Sequence, residues 1–380
     1  MKLIQDPIHG LLKIEDWMIK IIDTQEFQRL RRISQIGFAN LVFPGANHTR
    51  FEHSLGVMEV ARKLVERMDV DEDERIEILT SALLHDIAHT PFSHCGEVIV
   101  EDYLGFNHEN VEVILRGGEI GDVLKDLGLS LRRIRDYVSG RSCNVVKGDI
   151  DADRIDYLIR DSHYTGVAHG VFDAQRLINK TKFVNRRMVI EAGGLRSAES
   201  LLVSRFLMYT TVYHHHVCRI ARKMFEKAVR FCIDEGSLNP IDLFYMDDWS
   251  LMNFLRSQEG YPRDISEMLM NRRLFKRALY VEMDRVHIEM DDVDRIEVEI
   301  AEDSGVDGRW IAVDIPKQIK GEEFGASVMI EGEVRRLDEV SSLVKALKEA
   351  ERRSLKVGVY TPKDFVDRVR KTAIRYLNVS

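Results

Sequence analysis

Apolar residues recur at helical spacing through more than half of the chain, and this periodicity constrains the fold more than any other feature. The pattern runs from about residue 16 to about residue 235. In one segment, Ile76, Leu79, Ala82 and Leu83 fall on one face of a helix, because one turn takes 3.6 residues. We therefore predict that this stretch forms a large helical domain.

The two ends of the chain follow a different period. Residues 1–15 alternate apolar and polar around the turn sequence Asp6-Pro-Ile-His-Gly10, which predicts a short β-hairpin. After about residue 278 apolar and polar residues alternate with period two in three segments, a fourth segment is also strand-like, and helical spacing returns in two others. The predicted strands are 278–283, 296–300, 310–315 and 356–360, and the predicted helices are 339–352 and 362–377.

These patterns predict a mainly α fold. It consists of a helical domain over residues 1–270, with a short N-terminal β-hairpin, and a smaller α+β region over residues 271–380. We expect the α+β region to pack on the helical core or on a neighbouring subunit.

The composition argues against several classes of protein. No stretch approaches the roughly 20 apolar residues of a membrane helix, and the start of the chain lacks the apolar run of a signal peptide. We therefore expect no membrane as a partner. The four cysteines lie far apart without the spacing of a disulfide framework, which favours a reducing cytoplasm. A net charge of −8 argues against nucleic acid as a partner but allows a local basic pocket for a small anion.

Histidines are concentrated between residues 48 and 108, most densely in residues 84–94. His85 and Asp86 end an apolar helical pattern with side chains about 100° apart, from where both can reach one ion beside the helix. His89 shares the face of His85 if the helix continues to that point. Mixed nitrogen and oxygen donors favour a transition metal over calcium. The alternative is a group of solvated or hydrogen-bonded histidines without a metal.

Two further segments carry groups that a metal-dependent site would need. Arg50 and His53 are one helical turn apart, so a phosphate-binding guanidinium and a metal ligand would face one pocket. Residues 149–161 contain five aspartates on a helical pattern. The alternative is a solvated acidic helix face with paired arginines, and spacing alone does not select one aspartate as a ligand.

The order of these motifs resembles the HD-domain phosphohydrolases, and more narrowly the deoxynucleoside triphosphate triphosphohydrolases. The resemblance rests on Arg50-Phe-Glu-His-Ser-Leu-Gly-Val57, Leu84-His-Asp-Ile-Ala-His-Thr-Pro-Phe-Ser-His94 and Asp151-Ala-Asp-Arg-Ile-Asp-Tyr-Leu-Ile-Arg-Asp161. It begins at Asp6 and continues at least to Tyr213. It implies an HD-domain helical core and metal-dependent hydrolysis of dNTPs to deoxynucleoside and inorganic triphosphate.

The resemblance also implies the composition of the site. It implies one divalent transition metal per subunit, from among Mn, Fe, Co, Ni and Zn, with Mg as an option alongside the nucleotide. The implied metal ligands are His53, His85, Asp86 and Asp153. The implied catalytic residues are His94, as the acid that protonates the departing 5′ oxygen, with His89, His108 and Glu97. The residues implied to bind the nucleotide are Arg50, Gln35, Tyr157, Asp161, Arg205, Tyr213 and His215.

Regulation is the last property that the resemblance implies. In this family, nucleotides bound between subunits drive assembly of an active tetramer, so a nucleotide activator and a homo-oligomer, dimer or tetramer, are expected partners. The residues that resemble such allosteric sites are Lys2, Gln5, Asp23, Gln28, Arg31 and Arg176. Residues 186–196 lack the basic pair of the activated members, so constitutive activity stays open, and an ordinary polar helix surface is the alternative for residues 23–31.

Two other functions stay open at this point. One is another HD-family phosphohydrolase, acting as a nucleotidase, a cyclic-nucleotide phosphodiesterase or a single-strand nuclease. The other is a non-catalytic nucleotide-binding regulator. The filled ligand and acid positions argue against the regulator, and the acidic net charge argues against a dedicated nuclease.

Overall fold

The helical periodicity corresponds to a series of α-helices that begins at Asp16. The computed structural model describes residues 1–286, 293–316 and 324–377. The helices of these residues are α1 Asp16–Ile22, α2 Gln25–Arg29, α3 Arg50–Val65, α4 Glu72–Leu84, α5 His94–Leu104, α6 Glu112–Leu115, α7 Gly118–Asp126, α8 Leu131–Val138, α9 Ala152–Thr165, α10 Ala174–Asn179, α11 Leu195–Met208, α12 His216–Asp234, α13 Asp248–Ser257, α14 Tyr261–Met270, α15 Val293–Ser304, α16 Leu337–Val340, α17 Ser342–Ser354 and α18 Val366–Tyr376. The mainly α fold class is therefore confirmed.

The strands form three small sheets within the described residues. The strands are β1 Lys2–Asp6, β2 Gly10–Ile14, β3 Thr181–Val184, β4 Arg187–Glu191, β5 Lys276–Glu282, β6 Ala312–Asp314, β7 Ser327–Ile330, β8 Glu333–Arg336 and β9 Lys356–Thr361. Their orders are β1-β2, β3-β4-β7-β8 and β5-β9-β6. The predicted N-terminal hairpin is present, and its turn ends at Gly10, whose φ of +75° suits glycine.

One predicted strand is wrong. Residues 296–300 lie within helix α15. Ile296 and Ile300 are buried, whereas Val298 between them is 55% exposed. Apolar residues at every second position include pairs four apart, so a short segment fits both periods and the tertiary packing decides between them. The strands predicted at 278–283, 310–315 and 356–360 overlap β5, β6 and β9.

The C-terminal α+β region is joined to the helical part by strand pairing. Strand β7 pairs in parallel with β4, and Val328 lies opposite Ile190. The larger apolar core runs from Leu12 to Tyr360, and a second core cluster lies between α15, α18 and the β5-β9-β6 sheet. Strand pairing and the larger core therefore connect the two sides of the predicted boundary between residues 270 and 271, and this boundary stays a prediction.

Helix α3 is the centre of the fold around the site. It packs against α4 and α9, and most of its residues are buried. The helix begins with a capping box between Thr49 and Glu52, which satisfies backbone N–H groups at its first turn. Within the described part of the chain, no helix has both the length and the apolar character needed to cross a bilayer.

Gly56 allows α3 and α9 to approach closely. A Cβ atom at this position would lie 2.0 Å from Asp156 Oδ1 and 2.3 Å from an Nη atom of Arg160. Both of these side chains are fully buried and form an ion pair, so neither can move into solvent to make room. The glycine is therefore needed for space.

We predict that Gly56→Ala destabilises the protein, although alanine normally favours a helix. The overpacking should lower the free energy of unfolding by about 1–3 kcal/mol, measured by urea denaturation. Gly308→Ala is the matched control, because its added Cβ would meet its nearest neighbour at an ordinary 3.6 Å. Equal stability of the two variants would contradict this account of Gly56.

Candidate active site

Helix α3 presents Arg50 and His53 to the same side, one turn apart. His53 is completely buried, and its two ring nitrogens face two aspartates of α9. Nδ1 lies 2.7 Å from Asp156 Oδ2, and Nε2 lies 3.0 Å from Asp153 Oδ1. Burial opposes the charged imidazole, but the hydrogen bonds to Asp153 and Asp156 outweigh it and raise the pKa of His53 to about 10. A proton and a cation would therefore compete for Nε2.

His85 and Asp86 follow directly on the last residue of α4. Nδ1 of His85 donates to the carbonyl oxygen of Ala82 at 2.8 Å, which fixes the tautomer and leaves Nε2 as an acceptor. That Nε2 atom is buried and has no hydrogen-bond partner. A buried acceptor without a partner is costly, so its position indicates a site for a cation.

The four predicted metal ligands lie together. His53 Nε2, His85 Nε2 and a carboxylate oxygen of Asp153 are within 4.8 Å of one another. Asp86 Oδ2 is 3.6 Å from His53 Nε2, and its Oδ1 is 3.4 Å from His85 Nε2. Two imidazole nitrogens and two carboxylates suit a borderline transition metal. The residues present therefore fit the expected metal, and their role as its ligands stays a prediction.

Asp156 has a role that the sequence did not reveal. Its carboxylate accepts from His53 Nδ1, from His9 Nε2 at 2.6 Å and from Arg160 Nε at 2.8 Å. Arg160 in turn donates to Asp6 at 2.9 Å. Burial favours the neutral acid, but Arg160 and the hydrogen bonds hold the pKa of Asp156 well below its usual value. Asp156 thus acts on the candidate metal centre by orienting His53.

Three of the predicted catalytic residues are imidazoles packed against one another. The rings of His89 and His108 stack at 4.5 Å, and His94 meets His89 edge-on at 5.0 Å. Glu97 accepts from Nδ1 of His94 at 2.5 Å and is also hydrogen-bonded to Nδ1 of His108. The four residues lie close enough together to form one cluster, of which His94 is the most exposed member, with 63% of its side chain accessible.

The charges within this cluster are set by burial and by Glu97. Burial, reinforced by the Arg50 guanidinium, lowers the pKa of His89 well below its usual value, so this ring is neutral at pH 7. For His108, burial opposes the charged ring, but Glu97 outweighs it and raises the pKa. Burial also opposes ionisation of Glu97, yet His108 and His94 hold its pKa well below its usual value. The cluster therefore combines the neutral His89 imidazole with a carboxylate that favours the protonated form of His108.

A cavity of about 370 Å³ borders on both groups. The predicted residues that line it are Asp86, Asp153, His89, His94, His108, Arg50, Gln35, Tyr157, Asp161 and Tyr213. Such a volume lies in the range of small-molecule sites. The structure thus brings ten of the predicted site residues to one cavity.

One wall of the cavity, the tyrosine wall, is formed by Tyr157, Tyr209 and Tyr213. Tyr213 donates its hydroxyl to Asp161 Oδ2 at 2.6 Å, and Nε2 of His48 lies 2.7 Å from the other oxygen of Asp161. The ring of Tyr157 stands edge-on to Tyr213 at 6.4 Å. Tyr213 ends a single π-helical turn between α11 and α12, which directs both it and Tyr209 towards the cavity.

Arg50 and Gln35 border on the cavity with polar groups to spare. Arg50 donates to Asp86 at 2.7 Å, to Ser93 at 2.8 Å and to the Gln35 carbonyl oxygen at 3.2 Å. A guanidinium has five N–H donors, so two stay available to a ligand. The side-chain oxygen of Gln35 is buried without a hydrogen-bond partner.

Arg205 and His215 do not line the cavity. The buried Arg205 guanidinium lies 4.8 Å from the ring centroid of Tyr209 and 3.5 Å from Glu351, because α17 packs against α11 at this point. His215 caps α12 and stacks on His216. Sequence spacing did not reveal these contacts, because Glu351 lies far from Arg205 in the chain and adjacency alone does not predict that His215 stacks on His216. The contacts of Arg205 and His215 with a nucleotide stay predictions.

Several cavity residues were missed from the sequence, among them Arg154, Tyr209, Cys218, Arg219 and Arg222. Arg154 follows the predicted ligand Asp153, and this adjacency was an available signal. Arg219 and Arg222 are three apart on α12, and both pair with Asp314. A three-residue spacing also occurs on any solvated helix face, so it did not distinguish them.

The six predicted allosteric residues lie outside the cavity lining. Lys2 and Gln5 belong to β1, and Asp23 follows α1. The other three are Gln28 and Arg31, joined by a hydrogen bond of 2.8 Å, and Arg176, whose Nε donates to the Gly193 carbonyl oxygen at 3.0 Å. These contacts are compatible with an ordinary polar surface as well as with a nucleotide site, so the allosteric role stays a prediction.

Comparison with protein families finds matches to two segments of the chain. Residues 50–140 match the HD domain, and residues 172–380 match the HD associated region. The first match contains Arg50, His53, His85 and Asp86, and the second contains Tyr213.

Relatives and solved structures agree with this assignment. An uncharacterized protein of Methanocaldococcus jannaschii is 36% identical over 99% of this chain and 82% of its own length. A deoxynucleoside triphosphate triphosphohydrolase SAMHD1 homolog of Dictyostelium discoideum is 29% identical over 82% of this chain and 65% of its own length. The crystal structure of a hypothetical protein from Aquifex aeolicus superposes with a TM-score of 0.79 at 27% identity, covering 98% of this chain and 99% of that one.

An HD domain with the ligand-type residues of a metal centre, followed by an HD-associated region, extends over most of this molecule. The chain therefore belongs to the HD-domain phosphohydrolase family.

Proposed function

We propose that the protein hydrolyses dNTPs to deoxynucleoside and inorganic triphosphate. The observation that carries the proposal is one cavity bordered by metal-type ligands, by an imidazole cluster and by a tyrosine wall. The first two groups serve phosphoester hydrolysis in general, whereas the tyrosine wall suits a sugar. The similarity to dNTP triphosphohydrolases supports the same substrate class.

His53, His85, Asp86 and Asp153 would hold one divalent transition metal, with His85 Nε2 as an acceptor free to bind it. Such a metal supplies Lewis acidity to a phosphoryl oxygen. Asp156 fixes the orientation of the His53 ring, and the Ala82 carbonyl oxygen fixes that of the His85 ring.

Charge on the phosphates would be offset by arginine. Arg50 is fixed by Asp86 and Ser93 and retains two N–H donors for the substrate. Arg154 borders on the same cavity next to Asp153. Because these groups are held before substrate binds, little reorganisation is needed as negative charge develops on the phosphoryl oxygens.

His94 would hold the proton that the departing 5′ oxygen takes up. Its Nδ1 is engaged with Glu97, so Nε2 is the atom that would face the substrate. An imidazole suits this role because its ordinary pKa lies near neutral pH. Glu97 is shared with His108, and it favours the protonated form of the His108 ring.

Tyr213 would exclude ribonucleotides by its position against the sugar. Its hydroxyl is fixed by Asp161, which is itself held by His48. A ring that cannot retreat meets an added 2′-hydroxyl as a steric clash. We therefore expect a preference for deoxyribose.

The decisive experiment is product analysis. Protein loaded with Mn, Fe, Co, Ni or Zn is incubated with each dNTP and NTP, with and without GTP, and the products are separated by ion exchange. We expect triphosphate together with free deoxynucleoside, and little product from NTPs. Pyrophosphate, monophosphate or oligonucleotide products would instead favour another HD-family phosphohydrolase, and tight binding without product would favour a regulator.

We predict that His85→Ala and Asp86→Ala each abolish metal content and turnover. Each substitution removes one of four clustered donors, and loss of a ligand is expected to release the metal. Metal content is measured by inductively coupled plasma mass spectrometry and turnover by triphosphate release. His163→Ala is the control, because this exposed histidine lies outside the cavity lining. Full turnover by a metal-free variant would refute the metal-dependent scheme.

We predict that His94→Ala retains the metal but loses rate. Removal of a general acid should lower kcat by about 10²–10⁴-fold. The same two assays apply, and a wild-type kcat would exclude His94 as the proton donor.

A further inference from the structure

The turn between His89 and His94 has a strained backbone. Phe92 and Ser93 have φ angles of 57° and 56°, in the left-handed region that residues with a side chain rarely adopt. Ser93 combines its φ with a ψ of −125°, an even less favourable conformation outside glycine. Two such residues in succession persist only where neighbouring groups hold them. The turn begins and ends at predicted catalytic imidazoles.

Asp248, the first residue of α13, is one of the groups that hold this turn. Its Oδ1 accepts from the backbone N–H of Phe92 at 2.6 Å. Its Oδ2 accepts from the backbone N–H and from the hydroxyl of Ser34, at 2.9 and 2.6 Å. Burial raises the pKa of Asp248 to about 6, so the carboxylate is still ionised at neutral pH. All three donors therefore meet a charged acceptor.

Ser34 connects Asp248 to Ser93, the second strained residue, by hydrogen bonds. The Ser93 hydroxyl donates to the Ser34 carbonyl oxygen at 2.5 Å and accepts from Arg50 Nε at 2.8 Å. At the other end of the turn, Arg29 donates to the His89 carbonyl oxygen at 2.9 Å. Asp248 is thus hydrogen-bonded directly to Phe92, and it is connected to Ser93 by hydrogen bonds through Ser34.

We propose that Asp248 is a positioning residue that fixes the mutual geometry of His89 and His94. The edge-on arrangement of the two rings, 5.0 Å apart at 84°, depends on a turn that would relax if the Phe92 N–H lost its acceptor. Asp248 lies in the HD-associated region and reaches a turn of the HD domain. The effect on catalysis rests on the proposed function, because it acts through His94 as the proton donor.

The test is Asp248→Asn. An amide has almost the same size, but one of its two acceptor atoms is replaced by an N–H₂ donor that would face an N–H or O–H group. We expect kcat for dNTP hydrolysis to fall roughly 10- to 100-fold with an unchanged KM and unchanged metal content, since a small displacement of a catalytic group acts on the chemical step. Asp247→Asn is the matched control, because Asp247 caps the same helix and contacts Arg32 and not the turn.

A second measurement does not depend on turnover. In protein labelled with ¹⁵N-histidine, the His89 and His94 signals should move in Asp248→Asn, while the His163 signal should not. If these two signals stay in place, the inference is wrong whether or not the wild-type protein hydrolyses dNTPs. The inference would also be wrong if the variant had a wild-type kcat per folded, metal-loaded molecule and differed only by a lower Tm. Asp248 would then only stabilise the fold.

Ser34→Ala provides the same readouts if Asp248→Asn does not fold. It removes one of the three hydrogen bonds to Asp248 and leaves the backbone donors in place. We expect smaller movements of the same two histidine signals and a smaller loss of kcat. No change in either quantity would contradict the restraint through Ser34.

Discussion

The Asp156 carboxylate is the group on which the candidate metal centre depends. It is buried without solvent contact and is satisfied by His53, His9 and Arg160. A buried charge is tolerated only when its hydrogen bonds are complete, so these partners must all be in place in the native fold. Gly56 leaves the space for the pair that Asp156 forms with Arg160. The packing of α3 on α9 and the orientation of the His53 ring therefore both depend on the Asp156 carboxylate.

The site combines residues of the two regions that define the family with Asp153, which lies in the segment between them. The HD domain contains His53 and His85, whereas Tyr213 and Asp248 come from the HD-associated region. Tyr213 forms part of the cavity wall, and Asp248 restrains the turn beneath the imidazole cluster. In the fold, helix α5 of the HD domain likewise packs against helix α12 of the HD-associated region. Neither region by itself supplies the whole cavity.

Much of the fold could be predicted because helical periodicity is a local property. The period-two pattern of residues 296–300 gave a wrong strand prediction, because Ile296 and Ile300 fit both a strand and a helix and the tertiary packing favours the helix. In the site, residue type and motif order identified groups that the structure brings to one cavity. They did not separate Arg205, which packs on Tyr209 and near Glu351, from the residues that line it.

The sequence by itself determined the helical fold class and a short set of chemically suited residues, because periodicity and motif order are properties of neighbouring positions. The tertiary structure decided which atoms face one another. His53 and Asp156 are 103 positions apart, and Phe92 and Asp248 are 156 apart. Nothing in local spacing relates such pairs, because their distance is set by how helices pack. For that reason the sequence indicated the candidate ligands, whereas the groups that orient them emerged only from the fold.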